Sequence, residues 1–482
     1  MAITAALLVI SAAHTALWGQ TPTNALEFIT RGIEYRKNGE LDRAIADFNA
    51  ALTQQGPNYA DAMYNRGYTY ELKGDIDKAI ADYSAALVAM PDNSAVLEMR
   101  ANAYSKRGEY DKAIADFNQA LRLNPEYATA YNDRGAAYYR KGDLDKAIAD
   151  YSQALRLNPE YAIAYNNRGN AYNEKGDIDK AIADLNQALR LNPNFTRAYI
   201  NRGNAYSGKG DLDKAIADYS QALQLNPNDA VAYNNRGFIY SDKGDTDKAI
   251  ADFTQALQLN PNDAVTYSNR GHTYSAKGDH DRAIADLNQA LRLNPNFARA
   301  YNGRGVAYDN KNDYDRAIAD YSQAIRLDPN YTTAYYNRGY AYIEKGDIDK
   351  AITDFNQALR LNPNYTIAYN NRGFAYNSKG EYDHAIADYS QAIRLDPNNI
   401  SAYNNRGFAY IEKGDIDKAI ADFSQAIRLD PNFANPYRHR GVAYMIKGDY
   451  TQARADFEKT LKIDPNYKSA RDSLAELTRM GY

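Results

Sequence analysis

The sequence predicts an all-α solenoid of stacked helical hairpins. Three observations carry the prediction. Proline recurs at a constant stride of 34 residues, at Pro57, Pro91, Pro125, Pro159 and onward to Pro465, with only Pro22 and Pro436 outside the series. Apolar and small residues between the prolines fall at helical spacing. A glycine parts two such helical stretches in nearly every period, where it breaks the first. A fixed period of this size marks a repeat architecture, in which each unit buries its apolar face only against its neighbours.

Residues 128–161, ATAYNDRGAAYYRKGDLDKAIADYSQALRLNPEY, serve as the pattern. Tyr131, Gly135 and Tyr138 lie on one stripe of a first helix. Gly142 ends it, and Asp143 and Asp145 open a second, where the helix dipole favours negative charge. Ala147, Ile148, Tyr151, Ala154, Leu155 and Leu157 form the apolar face of that second helix. Asn158-Pro159 stops it, because the residue before proline is pushed out of the α region. Gly135 and Ala147 are small enough to let the two helices approach closely.

On Tyr131, Arg134-Gly135, Tyr138, Ala147, Tyr151, Ala154 and Pro159 the unit resembles the tetratricopeptide repeat (TPR) family. Tyr stands in for Trp at the first aromatic, and Arg for Leu before the Gly. The resemblance covers thirteen copies over residues 25–467. It implies a right-handed superhelix whose first helices line a concave groove.

Taken in order, residues 1–24 carry no Lys, Arg, Asp or Glu. The apolar run 2–18 reads as an export signal, with an uncleaved membrane anchor or a helix packed on the first repeat as alternatives. The protein is then exported, periplasmic or secreted; otherwise it is membrane-anchored or cytoplasmic. The first repeat has one extra residue before Pro57. The third has Ala101 in place of Gly, and the ninth has Asn312 at the turn, where Asn also tolerates left-handed geometry. Pro436 falls in the first turn of a helix, where proline is accepted. Residues 468–482 place Ala470, Leu474 and Leu477 on one face and read as a capping helix.

Composition narrows the function. A formal net charge of −4 argues against nucleic acid. The absence of Cys removes thiolate metal sites, disulfides and Cys nucleophiles. The five His are scattered, and there is no phosphate loop. The recurring Gly-Asp-x-Asp-Lys reads as a helix start, since it continues into Ala-Ile without further oxygen ligands for calcium. No enzyme, cofactor or metal is expected.

Positions that recur in every unit are scaffold; variable ones on the groove are candidate readers. Every unit has Arg before the Gly position and Asp one residue before the second-helix aromatic position, filled by Leu185 and Leu287 in two units, which predicts structural ion pairs Arg134–Asp150, Arg168–Asp184, Arg202–Asp218 and Arg236–Asp252. Of the two partners the Arg is expected to be the more expendable. Asn precedes that Arg at Asn65, Asn167, Asn201, Asn235, Asn269, Asn337, Asn371 and Asn405. This ladder is similar to that in the TPR arm of O-GlcNAc transferases and implies side-chain amides that hold a peptide backbone. No glycosyltransferase domain follows. One residue after the Gly stand Tyr340, Phe374 and Phe408, with Ile343 and Ile411 three residues on, an apolar strip expected on the same groove. Packing between first helices is the alternative for the strip. The carboxylate clamp of other TPR proteins is not expected, because Asn132, Asn166, Asn234 and Asn302 stand where it needs Lys. The expectation is a scaffold for an extended peptide or protein segment. Self-association of the solenoid is the alternative.

Overall fold

The computed structural model describes residues 22–54 and 56–482. The expectation for the N-terminal apolar run lies outside the described residues. Among the described residues there are twenty-seven α-helices and no strand. They belong to two compact units, one ending at Ile239 and one beginning at Tyr240. The first holds six hairpins, from Ala25–Lys37 with Leu41–Thr53 to Thr196–Lys209 with Leu212–Leu225. The second holds Thr246–Leu259, six hairpins from Ala264–Ala276 with His280–Leu293 to Ala434–Lys447 with Tyr450–Ile463, and the final helix Lys468–Arg479.

Each helix starts and stops for local reasons. Asn158 Oδ1 accepts the Glu160 N–H at 3.1 Å, and Asp328 Oδ1 accepts that of Asn330 at 3.0 Å, so the Asn or Asp before these prolines also builds the turn that launches the next helix. Gly176 takes φ 89° behind its helix, and the Asp177 N–H returns to Tyr172 O at 2.9 Å. Asn312 holds the same left-handed geometry at φ 60°.

The two acids of Gly-Asp-x-Asp-Lys have separate tasks. The first stays at the helix start: Asp143 Oδ1 accepts the Lys146 N–H at 3.3 Å as a cap, whereas Asp177 and Asp415 instead bridge the Lys side chain three residues on, at 2.9 and 2.8 Å. The second acid reaches the following repeat, as in Asp179 with Lys209 at 2.7 Å and Asp417 with Lys447 at 2.7 Å. These bridges are solvent-exposed and each adds little to stability.

Packing is set by small residues facing large ones. Ala147, Tyr151 and Ala154 of one second helix are buried with Ala164 and Ala171 of the next first helix. A Cβ on Gly135 would lie 2.8 Å from Tyr151 Cε1, and one on Gly169 would lie 2.8 Å from Leu185 Cγ. The glycine is therefore the floor on which the second-helix side chain lies. At the C-terminal end Ala470 and Leu477 bury against Phe457 and Ala453, so the last helix covers the face of the last hairpin.

Candidate functional site

The first helices of adjacent hairpins run side by side, and the candidate site is their shared face. Arginine ties each hairpin together beneath it. Arg134 Nη2 and Nε lie 2.6 and 2.7 Å from the two oxygens of Asp150. Arg168 meets Asp184 at 2.8 and 2.7 Å, and Arg202 meets Asp218 at 2.7 and 2.8 Å. The third nitrogen, Nη1, crosses to the preceding hairpin. It donates to Asn118 Oδ1 at 2.7 Å from Arg134, to Ser152 Oγ at 3.0 Å from Arg168 and to Asn186 Oδ1 at 2.7 Å from Arg202. Arg236, in the first unit, donates to Ser220 Oγ at 3.0 Å, while Asp252 is a buried residue of the second unit. The Arg168 guanidinium also stands 5.7 and 5.9 Å from the ring centres of Tyr165 and Tyr172. The arginine stem and plane thus cover the tyrosines.

Burial ranks the partners in the opposite order to the expectation. The Asp184 side chain is 11% exposed and that of Arg168 is 20%. An Arg left without its acid can turn its head to water, whereas the deeper carboxylate cannot.

The asparagines form a hydrogen-bonded chain from repeat to repeat. Asn201 Nδ2 donates to Asn166 Oδ1 at 2.9 Å, Asn166 Nδ2 to Asn167 Oδ1 at 3.1 Å, and Asn167 Nδ2 to Asn132 Oδ1 at 3.0 Å. Asn235 donates to Asn204 at 3.1 Å, Asn337 to Asn302 at 3.1 Å, Asn371 to the Tyr336 hydroxyl at 2.9 Å and Asn405 to Asn370 at 3.5 Å. Asn269 is buried. The sequence reading left these amides free for a ligand. In the structure they first staple neighbouring hairpins, and Asn132, Asn166 and Asn302 are buried acceptors of that staple. At the last rung His439 takes the place of Asn, with Nδ1 2.9 Å from Asn404 Oδ1. Burial, then the nearby Arg438 charge, push its pKa down to about 4, so the ring is neutral and Nδ1 carries the proton that the amide oxygen needs.

Beside the amides, Tyr340, Phe374 and Phe408 are 40%, 46% and 36% exposed, while Ile343 and Ile411 are half-buried. Phe408 stands 6.0 Å from the His439 ring. Phe238 occupies the same repeat position in the first unit and is also exposed, as is Ile367 near the start of its helix. The sequence reading passed over both, although Phe238 follows its Gly as Phe374 and Phe408 do. In the first unit a cleft of about 430 Å³ opens on this face, lined by Ile163, Asn167, Asn170, Arg197 and Asn201 among others. Among the described residues no group of three or more His, Cys, Asp or Glu could hold a metal, and no helix is long and apolar enough to cross a membrane.

Comparison with known proteins supplies the family. A model described as "TPR repeat" matches residues 101–142, 137–176, 169–210, 203–244, 339–380, 375–414 and 409–446. Models described as "Tetratricopeptide repeat" match residues 29–94 and 269–332, 230–263 and 434–467, and 321–353. None of these is an enzyme family. Among solved structures the chain is similar to the APC/C hetero-tetramer Cut9–Hcn1, with 17% identity over 95% of this chain and 96% of that one and a TM-score of 0.50, a likeness of fold. A tetratricopeptide repeat protein from Parabacteroides merdae is 25% identical over 52% of this chain and 98% of its own, with a TM-score of 0.45. No curated protein matches the chain. The first model alone spans more than half of the sequence, and the chain belongs to the tetratricopeptide repeat family, whose repeats serve protein–protein interaction.

Proposed function

We propose that the protein is a non-enzymatic scaffold that holds an extended peptide or protein segment along the face of its first helices. The observation that carries this is the column Tyr340, Phe374 and Phe408, exposed on three successive hairpins whose second-helix aromatics, Phe355, Tyr389 and Phe423, are buried. An apolar column at a fixed stride is suited to cover by the apolar side chains of a partner. The adjacent amides add backbone recognition. Asn371 gives one N–H to Tyr336 and keeps another donor and its acceptor lone pairs for a ligand. Self-association by end stacking is disfavoured at the C-terminal end, where the final helix covers the last hairpin.

The test is selection of binders from a random peptide library on the full chain, followed by affinity measurement against Phe374→Asn/Phe408→Asn. Asn occupies this position at Asn170 and Asn204, so the hairpins keep their fold. Burial of two half-exposed rings predicts an affinity loss of roughly a hundredfold. Unchanged affinity in the double variant overturns the reading.

A further inference from the structure

Ala136 opens a hole in the candidate face of the first unit. Its repeat position carries Asn102 in the preceding hairpin and Asn170 in the next. With only a methyl group there, a cleft of about 500 Å³ remains, lined by Glu71, Asn102, Ser105, Lys106, Asp133 and Arg140 among others. Two of these charges satisfy each other: Glu71 takes Lys106 Nζ at 2.6 Å, and it also accepts the Tyr83 hydroxyl at 2.8 Å.

Asp133 is in a different position. It stands where the neighbouring ladder residue is Asn167, and it keeps the amide contacts of the ladder. Its oxygens accept Asn102 Nδ2 at 3.1 Å and Asn132 Nδ2 at 3.0 Å. Asp150 and Asp184, which lie deeper, each have an Arg. No Lys or Arg of the described residues bridges to Asp133. Burial accordingly raises its carboxyl above the ordinary range, against the two amides that lower it. In the same cleft the buried Ser105 Oγ has no partner among the described residues. A desolvated carboxylate without a counter-ion and an idle hydroxyl, both at an open cleft, form an incomplete polar site.

We infer that the Ala136 cleft seats a basic side chain, a lysine or arginine of the segment held in the groove, with Asp133 as its counter-ion and Ser105 as a second acceptor. The inference rests on the groove reading above. Arg140 is exposed at the rim, where water screens it, so the enclosed acid sets the field inside the cleft. Arg140 also borders the neighbouring cleft that contains Arg197, which favours an acidic residue beside the basic one in the segment.

The experiment uses the full chain and an array of synthetic peptides that differ at one position, bearing arginine, lysine or citrulline, the last with the shape of arginine and no charge. N-acetylarginine amide is a small probe followed by NMR. The variants are Asp133→Asn and Ala136→Phe, residues already carried at the equivalent positions by Asn167 and Phe374. Arginine and lysine peptides are expected to bind the unaltered protein and to lose on the order of thirtyfold in Asp133→Asn. Citrulline peptides are expected to bind both proteins equally weakly, and Ala136→Phe to exclude all three. Peptides that bind through the aromatic column and ignore Asp133 overturn the inference and leave the groove reading standing. Asp133-dependent binding of N-acetylarginine amide with no peptide bound supports the basic-group seat and overturns the groove reading. Binding of neither probe overturns both.

Discussion

Arg168 and Asp184 meet side-on, with two nitrogens of the guanidinium 2.7 and 2.8 Å from the two carboxylate oxygens, while the third nitrogen reaches Ser152 in the preceding hairpin. One side chain thus joins three helices. The fork of donors on arginine permits this and the single ammonium of lysine does not. It also accounts for the polar residue that follows the large buried side chain of the second helix (Tyr151, Leu185, Tyr219): Ser152, Asn186 and Ser220 all present an oxygen to the next arginine.

The pair predicts an asymmetry. Arg168→Leu leaves the deeper Asp184 carboxylate uncompensated and is expected to cost about 3 kcal/mol. Asp184→Leu leaves an arginine that can reach water and is expected to cost roughly half as much. Urea denaturation of both variants measures the difference. Equal and slight losses would show that the pair bears little weight.

The asparagine staple makes a second prediction. Asn201→Ala removes the donor to Asn166 Oδ1, which is buried. The orphaned acceptor is expected to cost about 1 kcal/mol, with faster amide hydrogen exchange in the first helices of the two adjoining hairpins. Exchange accelerated only at the mutated helix would mean that the bond does not couple the repeats.

Asp309 predicts a dependence on pH. Burial, then the charge of Glu344, push its pKa up to about 6 from 3.8, and its Oδ1 is buried without a partner. A raised acid binds its proton more tightly in the folded state, so its contribution to stability is largest below pH 3.8 and falls as pH rises to about 6. Asp309→Asn is therefore expected to melt higher than the parent at pH 7 and to lose that advantage by about pH 4. A melting difference that stays constant with pH would refute the assignment.

His439 has the opposite sign. Its folded pKa is lowered from 6.5 to about 4, so the stabilisation it brings is complete above pH 6.5 and is lost as pH falls through 4. His439→Asn restores the usual rung and is expected to reduce the acid sensitivity of the last hairpins. Melting curves of the variant and the parent at pH 7 and pH 4 check this. An equal fall in both proteins would place the acid sensitivity elsewhere.

The sequence by itself determined the hairpin repeat and the family. The reason is physical: helix faces are written in spacings of three and four residues, and the stride of the prolines repeats them thirteen times. It could name Arg134 and Asp150 as invariant positions, but not the bond from that arginine to Asn118. Only the tertiary structure decided how Asn167 and Asn201 are used, because their partners Asn132 and Asn166 lie 35 residues away and meet them only through stacking. The same holds for the cleft at Ala136 and the lone charge of Asp133. An alanine and an aspartate look like ordinary variation along the chain. Whether they leave space and an unpaired carboxylate depends on what the neighbouring hairpins place opposite them.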